Sequence, residues 1–320
     1  MTLSPETGSN PPSVVVVTGP TASGKTELAI RLAERFDGEV INADSMQVYR
    51  FMNIGTAKPT LEERARVPHH LFDVVTPDLG YSAGRFAEEA RGVVQEIDGR
   101  GRLPLLAGGT GLYIRAALHG LIATGAAAPE LRARLEAEAE AARAAGDPEL
   151  LHARLSKLDP KAAGAIHPHD SRRTIRALEI IEQSGQLASA VREDHRFGEH
   201  SFRSLHLAID PGRDTVSQRI ESRCQGMIDA GLLREVRDLR ARGYGPELRS
   251  MRAIGYRHIN PVADGVDTLA NALVAMSADT RRFARRQRTW LRKVESAIWL
   301  DPSEEDVIFR RVERFCRDAR

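Results

Sequence analysis

Short apolar runs alternate with longer amphipathic segments along most of this chain of 320 residues. Val14–Val17 is a run of four β-branched residues, which is typical of a strand buried on both faces of a parallel sheet. Further strands are predicted within 40–41, 68–75, 103–107, 205–209 and 297–300. The intervening segments carry apolar residues at helical spacing, most clearly Tyr81–Ile97 and Arg213–Arg242. The pattern therefore predicts an α/β fold, in which helices flank a parallel sheet.

The composition changes at Thr124, where the chain becomes rich in alanine, leucine, glutamate and arginine. These residues are strong helix formers, and Pro148 and Pro160 interrupt them. We therefore predict an all-helical insertion domain at 122–200 and an α/β core made of 13–121 and 201–320. The polar, proline-containing residues 1–12 are expected to be a disordered lead-in.

Apolar residues make up 42% of the chain, which is enough for a large core. No apolar run approaches the length that spans a bilayer, and the first residues lack the features of a secretory signal. Cys224 and Cys316 match no metal-binding spacing. We expect a cytoplasmic monomer with no membrane association and no obligate protein partner. Because the net charge is only +2, any affinity for nucleic acid must come from local clusters of cations.

A glycine-rich turn follows the first predicted strand and opens a helix, which is the context of a phosphate-binding P-loop. Its amides meet the positive end of the helix dipole, where an anion is favoured. Lys25 adds a full positive charge, and the Thr26 hydroxyl is placed to bind Mg²⁺. The alternative is a glycine-rich turn without a ligand. The residues predicted to bind phosphates are Gly19, Pro20, Thr21, Ala22, Ser23, Gly24, Lys25 and Thr26.

Two further side chains follow predicted strands, and the carboxyl ends of parallel strands share one edge of a sheet. Asp44 follows the strand at 40–41, so we expect it to face the phosphate site. Thr110 follows the strand at 103–107 within Gly108–Gly111, where most P-loop NTPases place an aspartate. That departure argues against an ordinary ATPase. A turn or N-cap role remains open for both residues.

Arginines cluster in three places. Seven cations lie within the thirteen positions Arg281–Lys293, without an acidic residue, which favours binding of a phosphate backbone. Arg172, Arg173 and Arg176 occupy the start of a helix, where cations oppose the dipole unless an anion binds. A solvated or ion-paired surface is the alternative for both clusters. Arg219 and Arg223 form an i, i+4 pair that would reach the phosphates from the sheet edge, and of the two we favour Arg219.

Several motifs occur together in a fixed order, namely Gly19–Thr26, Asp44–Tyr49, Gly55–Pro59, Pro68–Leu71, Gly108–Tyr113, Met251–Arg257 and Arg286–Leu291. This set resembles the bacterial tRNA dimethylallyltransferase family over nearly the whole chain. The resemblance implies transfer of a dimethylallyl group from dimethylallyl diphosphate to N6 of adenosine 37, beside the tRNA anticodon, with release of pyrophosphate. A diphosphate in the P-loop would explain the missing strand-end carboxylate, because no water attacks a phosphorus atom.

The same resemblance assigns roles to the candidate residues. Asp44 would accept the proton from N6, and Thr110 would bond the amine or the Asp44 carboxylate. Lys25, Thr26, Arg219 and Mg²⁺ would stabilise the leaving diphosphate. The target base would be flipped out of the anticodon stem-loop. Residues expected to contact tRNA are Asp44, Ser45, Met46, Gln47, Thr110, Arg132, Arg172, Arg173, Thr174, Ile175, Arg176, Arg252, Ala253, Ile254, Gly255, Tyr256, Arg257, Arg281, Arg285, Arg286 and Arg288.

Three alternatives keep the same phosphate site. A P-loop kinase would use ATP and a hydroxyl acceptor, but it leaves the basic segment Arg281–Lys293 unexplained. A non-catalytic RNA-binding protein would bind tRNA without transferring a group. A prenyltransferase for free AMP or ADP would not need the predicted helical insertion or the basic clusters.

Overall fold

The computed structural model describes residues 11–121, 129–195 and 202–318. The chain divides into two compact units. Unit 1 comprises Met1–His119 and His200–Arg320, and unit 2 comprises Gly120–Glu199. The predicted division placed the insertion at 122–200. Within the described ranges, no helix is both long enough and apolar enough to cross a bilayer.

Unit 1 is built on a six-stranded sheet in the order β3-β2-β4-β1-β5-β6. Every neighbouring pair in it is parallel, as the buried apolar runs predicted. The strands are β1 (Ser13–Thr18), β2 (Gly38–Asn42), β3 (His69–His70), β4 (Leu103–Gly108), β5 (Arg203–Ile209) and β6 (Ala297–Leu300). The central strand β1 pairs on both sides, with Val15 opposite Leu105 and Leu205.

The helices are numbered here in chain order. They are α1 (Lys25–Arg35), α2 (Leu61–Arg66), α3 (Ala83–Gly99), α4 (Gly111–His119), α5 (Pro129–Ala144), α6 (Leu150–Leu158), α7 (Pro160–Gly164), α8 (Ser171–Ser184), α9 (Ala188–His195), α10 (Arg213–Asp229), α11 (Leu232–Ala241), α12 (Tyr256–Ala263), α13 (Leu269–Leu291) and α14 (Glu305–Arg317). Helices α5–α9 belong to unit 2 and the others to unit 1.

The alternation of side chains along β1 separates two apolar cores. Val15 and Val17 pack against α1 and α14 on one face of the sheet. Val14 and Val16 join the core of the other face, to which α3, α4 and α10–α13 contribute. Since all four valines are fully buried, β1 lies between two covered faces, which is the arrangement expected of a parallel sheet.

The structure corrects several predicted boundaries. The helical region predicted over Arg213–Arg242 is two helices, because Gly231 adopts a φ of 97° and ends the first. The strand predicted within 68–75 is only two residues long, although Val75 forms an isolated bridge with Tyr49. Helix α13 begins at Leu269, after an N-cap by Thr268, well before the basic segment.

Unit 2 has its own small core. Leu135, Leu155 and Leu178 are fully buried and bring α5, α6 and α8 together. Asp170 caps α8, since its side chain accepts a bond of 3.1 Å from the Arg173 amide. These helices therefore form a compact body around apolar residues that recur at helical spacing.

Candidate active site

The predicted phosphate-binding loop Gly19–Thr26 joins β1 to α1 at the carboxyl edge of the sheet. Gly24 adopts a φ of 92°, a left-handed conformation that favours glycine. At Gly19, a Cβ atom would lie 2.2 Å from the Ile209 carbonyl oxygen. The first α1 bond runs from the Leu28 amide to the Gly24 carbonyl, at 3.2 Å. The amides before Leu28 therefore stand at the helix N-terminus, where an anion is stabilised.

Lys25 is the cation of this loop, and its Nζ atom lies 3.4 Å from the Pro20 carbonyl oxygen. The pKa of Lys25 is lowered from 10.5 to about 8. Burial of the ammonium is the largest cause, Arg223 lowers the pKa further, and Asp44 acts in the opposite direction. The charged form thus lacks sufficient compensation in the protein alone, so a bound anion would stabilise it.

Two neighbouring cavities meet at Asp44. The inner cavity, of about 50 Å³, is lined among others by Lys25, Thr26 and Asp44. The outer cavity, of about 330 Å³, is lined among others by Asp44 and Thr110. One Asp44 oxygen accepts a bond of 2.9 Å from the Met46 amide, so the turn role foreseen for this carboxylate is also realised. The carboxylate lies where the phosphate loop and the larger cavity adjoin.

The lining of the outer cavity combines apolar side chains with cations. Met46, Met227, Ile254, Met276 and Phe283 supply apolar side chains. The cations that line it are Arg223, Arg252, Arg257 and Arg286. Such a cavity suits a flat, largely apolar group that is attached to an anion.

Both arginines of the pair on α10 lie near the phosphate loop. Arg219 Nη1 donates to the Ser23 carbonyl oxygen at 3.4 Å. Arg223 lines the inner and outer cavities, and burial lowers its pKa, while Asp44 acts against that shift. The prediction favoured Arg219, which contacts the loop backbone, while Arg223 lines the same cavity as Lys25 and Asp44.

Thr110 is held beside Asp44 by the backbone between them. Its Oγ1 atom accepts a bond of 3.0 Å from the Ser45 amide, and it donates to Ser45 Oγ at 3.3 Å. The expected bond to the Asp44 carboxylate is replaced by this contact with the next residue. Thr110 therefore fixes the backbone that carries Asp44.

The chain is similar to known proteins over nearly its whole length. A family model described as IPP transferase matches residues 47–294, and one described as isopentenyl transferase matches residues 12–69. A tRNA dimethylallyltransferase of Desulfosudis oleivorans is 47% identical over 308 residues, which is 96% of each chain. The chain belongs to the IPP transferase family. Another relative, the tRNA dimethylallyltransferase of Geobacter sulfurreducens, is 45% identical over 92% of this chain and 94% of its own.

Solved structures of IPP transferases share the fold. The full-length tRNA isopentenylpyrophosphate transferase of Bacillus halodurans superposes with a TM-score of 0.70 at 37% identity, covering 97% of this chain and 98% of that one. A eukaryotic dimethylallyltransferase, solved acting on tRNA, gives a TM-score of 0.78 at 30% identity, covering 91% and 74%. The resemblance found in the sequence and the predicted fold class are thereby confirmed.

Most of the residues predicted to contact tRNA fall into three groups, which differ in their location. Those that line the outer cavity are Asp44, Ser45, Met46, Thr110, Arg252, Ala253, Ile254, Arg257 and Arg286. Gln47 lines the inner cavity and donates to the carbonyl oxygens of Thr56 and Ala57, at 3.1 Å each. Arg132 and 172–176 belong to unit 2.

Several of these predicted contact residues are buried in the described structure, and their contact with tRNA stays a prediction. Tyr256 is fully buried and donates to Glu235 at 2.6 Å. Gly255 is buried, and in unit 2 Thr174 and Ile175 are 1% and 7% exposed. Residues that follow one another in α8 lie about 100° apart around the helix axis, so its basic segment also contains positions that face the core.

Ion pairs account for a second group of predicted cations. Arg132 and Arg176 both bind the buried carboxylate of Glu179. In unit 1, Arg281 pairs with Glu221, and Arg288 is only 9% exposed.

Acidic groups outside Arg281–Lys293 therefore neutralise part of that segment. Arg288 donates to Asp210 at 2.6 Å. Asp279, two positions before the segment, binds Arg282 and Arg257. The absence of acidic residues within the segment did not mean an absence of counter-charge in the fold.

A cleft of about 410 Å³ lies between α10 and α13, and five arginines line it. We call it the arginine cleft, and its cations are Arg213, Arg281, Arg285, Arg288 and Arg292. Within the described ranges, no ion pair is formed by Arg213, Arg285 or Arg292, and all three are exposed. The single carboxylate of its lining is that of Asp214. The cleft therefore presents uncompensated positive charge to solvent.

The surroundings of Thr26 fit a Mg²⁺ ion that is held mainly by substrate oxygens. Thr26 lines the inner cavity together with the Asp44 carboxylate. The buried Ser23 hydroxyl has no hydrogen-bond partner among the residues described, so the loop retains an unused polar group. Those residues also contain no cluster of three acidic, histidine or cysteine ligands. Mg²⁺ commonly takes one or two protein ligands and completes its shell with phosphate and water.

Proposed function

We propose that this protein transfers a dimethylallyl group from dimethylallyl diphosphate to N6 of adenosine 37 in a tRNA anticodon loop. The observation that carries the proposal is the position of Asp44, which lines both the phosphate-side cavity and the larger apolar cavity. Relatives named tRNA dimethylallyltransferase, at about 45% identity over nearly the full chain, support it.

The diphosphate would occupy the inner cavity side of the loop. Lys25, the amides at the start of α1 and Arg223 supply positive charge at this place. Mg²⁺, held by Thr26 and phosphate oxygens, would add charge stabilisation of the leaving diphosphate when it is bound. Because burial disfavours the charged form of Lys25, a diphosphate bound there would stabilise an ammonium whose charge the protein alone does not fully compensate.

The adenine would occupy the outer cavity. A base in a stacked loop cannot reach Asp44, so the nucleotide must turn out of the stack. The apolar walls formed by Met46, Ile254 and Phe283 suit the flat face of the base and the dimethylallyl group. Arg252 and Arg286 at the same cavity would meet phosphates of the loop.

The chemistry is a displacement at carbon. The lone pair of N6 forms a bond to C1 of the dimethylallyl group while the C1–oxygen bond breaks, and that electron pair leaves with pyrophosphate. The proton on N6 passes to the Asp44 carboxylate. Thr110 keeps Asp44 aimed by holding the Ser45 amide.

The test is a reaction of the purified protein with unmodified tRNA and labelled dimethylallyl diphosphate, followed by mass spectrometry of the nucleosides. We expect one labelled nucleoside, the N6-dimethylallyl derivative of adenosine, and its mapping by RNase fragments to position 37. Transfer of phosphate from ATP to any hydroxyl, without prenylation, would instead support the kinase. Light scattering of the same sample tests the expected monomer.

A further inference from the structure

Gln287 of α13 connects two loops that the sequence analysis treated separately. Its Oε1 atom accepts a bond of 2.8 Å from the Thr21 amide in the phosphate-binding loop. Its Nε2 atom donates a bond of 3.0 Å to the Gly109 carbonyl oxygen, in the turn that carries Thr110. The side chain is only 7% exposed. One amide group therefore bridges the diphosphate loop and the turn that orients Asp44.

The bridge explains a glycine in the Gly-Gly-Thr-Gly turn. At Gly109, a Cβ atom would lie 2.2 Å from Gln287 Nε2, so any larger residue would displace the amide. The bridge also needs an acceptor and a donor on one terminal group, which a carboxamide provides without a charge at any pH. Gln287 and Gly109 thus form a matched pair, although 178 positions separate them.

The neighbours of Gln287 anchor α13 to the same edge of the sheet. Arg288 donates to Asp210 at 2.6 Å and to the Gly212 carbonyl oxygen at 2.9 Å, just before α10. The ring of Trp290 lies 2.2 Å from the position of a Cβ atom at Gly111, where α4 begins. This end of α13 therefore holds the connections after β1, β4 and β5 in one arrangement.

The adjacent face of α13 lines the outer cavity through Phe283 and Arg286. The same helix thus contacts the proposed base pocket and the proposed diphosphate loop. Building on the proposed function, we propose that Gln287 is a positioning residue, which sets the placement of the diphosphate loop relative to the Thr110 turn. Without it, the Thr21 amide and the Gly109 carbonyl lose their shared partner, and C1 of the donor is no longer aligned with N6.

The first experiment compares Gln287→Ala with Gln218→Ala, a control on the exposed side of α10. We expect Gln287→Ala to lower kcat/KM for dimethylallyl diphosphate by about tenfold to hundredfold, because two partly buried polar groups lose their partner. The KM for tRNA should change less than about twofold, because the loss is in donor alignment. Calorimetry with pyrophosphate should show weaker binding to Gln287→Ala only.

The second experiment uses Gln287→Glu, which has nearly the shape of the natural residue. A protonated carboxyl offers an acceptor and a donor, as the carboxamide does. The ionised form has only acceptors, so its oxygen would repel the Gly109 carbonyl oxygen. Burial raises the pKa of such a carboxyl, and Asp44 of the same cavity acts in the same direction, whereas Lys25 and Arg223 act against it. The activity of Gln287→Glu relative to the unmodified protein should therefore rise several-fold as the pH falls from about 8 to about 6, while Gln218→Glu gives a constant ratio.

The outcomes separate this proposal from the proposed function. A flat activity ratio for Gln287→Glu across pH overturns the positioning role. So does a Gln287→Ala protein that keeps both kinetic constants and pyrophosphate affinity while its Tm falls, because the residue would then only brace the fold. If the unmodified protein transfers no dimethylallyl group, the proposed function fails, and pyrophosphate calorimetry still decides whether Gln287 positions the loop.

Discussion

Lys25 and Asp44 line the same small cavity. Burial lowers the pKa of the Lys25 ammonium, and the Asp44 carboxylate acts in the opposite direction. Arg223 lines that cavity as well, so two cations and one anion share a confined space before any substrate binds. A diphosphate would add negative charge beside the cations, and Asp44 would remain free to accept a proton.

The affinity for pyrophosphate should fall above pH 8. The pKa of Lys25 in the unliganded protein is about 8, so the ammonium that attracts the ligand is lost above this value. Binding should weaken by up to about tenfold for each further pH unit, until the pKa of the bound state is reached. Calorimetry from about pH 7 to about pH 9.5 measures this, and comparison with Lys25→Met removes the titration of the ligand itself.

The same lowered pKa has a consequence for stability. The unfolded chain binds the lysine proton more tightly than the folded protein, so below pH 8 this group opposes folding, and the penalty disappears as the pH rises towards 10.5. Lys25→Met should therefore raise the Tm of the unliganded protein at neutral pH. An unchanged or lower Tm would contradict the buried, poorly compensated ammonium.

Asp44→Asn should separate chemistry from binding. The amide cannot take the N6 proton, so kcat should fall by about 10²–10⁴-fold, whereas the Kd for tRNA should change by less than about threefold. Because Asp44 raises the pKa of Lys25, the pH midpoint for pyrophosphate binding should also move down. Rapid-quench single-turnover kinetics measures the first effect. Normal turnover with collapsed tRNA binding would remove Asp44 as the proton acceptor.

The arginine cleft should contribute to tRNA affinity through phosphate contacts. Replacing Arg213, Arg285 and Arg292 by glutamine should reduce the magnitude of the slope of log K for tRNA binding against log salt concentration by up to about 2 to 3. Each phosphate contact releases counterions, so each lost contact makes the slope less steep. The matched control replaces Arg310, Arg311 and Arg314, three exposed arginines of α14, with the same change in charge. Equal slopes for both triple variants would show that only net charge matters.

Glu235 should be a large contributor to the stability of the loop beside the outer cavity. Its carboxylate accepts bonds from the amides of Asn53, at 3.0 Å, and Ile54, at 2.8 Å, and from the Tyr256 hydroxyl. Glu235→Ala should lower the free energy of unfolding by about 2–4 kcal/mol, and Tyr256→Phe by about 1 kcal/mol. Urea unfolding checks both values. Asp238→Ala, on the same helix and exposed, should change stability by less than about 0.5 kcal/mol.

The sheet and the edge at which the candidate site residues meet could be predicted because their signals are local. Four buried valines identify β1, and Asp44 and Thr110 follow strands whose ends converge in any parallel sheet. The roles of the individual site residues stay predictions, but their convergence at one edge follows from the strand order. The break at Gly231 was less visible, because a single glycine within an amphipathic segment does not reveal its φ angle.

The contributions of the later helices could not be predicted, because they depend on which face meets which loop. Gln287 lies 266 positions from Thr21, and Glu235 lies 182 positions from Asn53. Arg288 looked like another surface cation until the fold placed Asp210 against it. A cluster of like charges in sequence therefore marks a basic region without showing which of its arginines the fold pairs with carboxylates.

One strand pairing in the sheet has a consequence for biosynthesis. β1 pairs with β5, yet Ser13 and Arg203 lie 190 positions apart. A nascent chain leaving the ribosome therefore carries the apolar β1 edge without its second neighbour until most of the protein has been translated. Unit 2 is contiguous in sequence and completes its core earlier. Cells producing this protein must keep the waiting strand from pairing with other chains, which makes early translation the stage most exposed to aggregation.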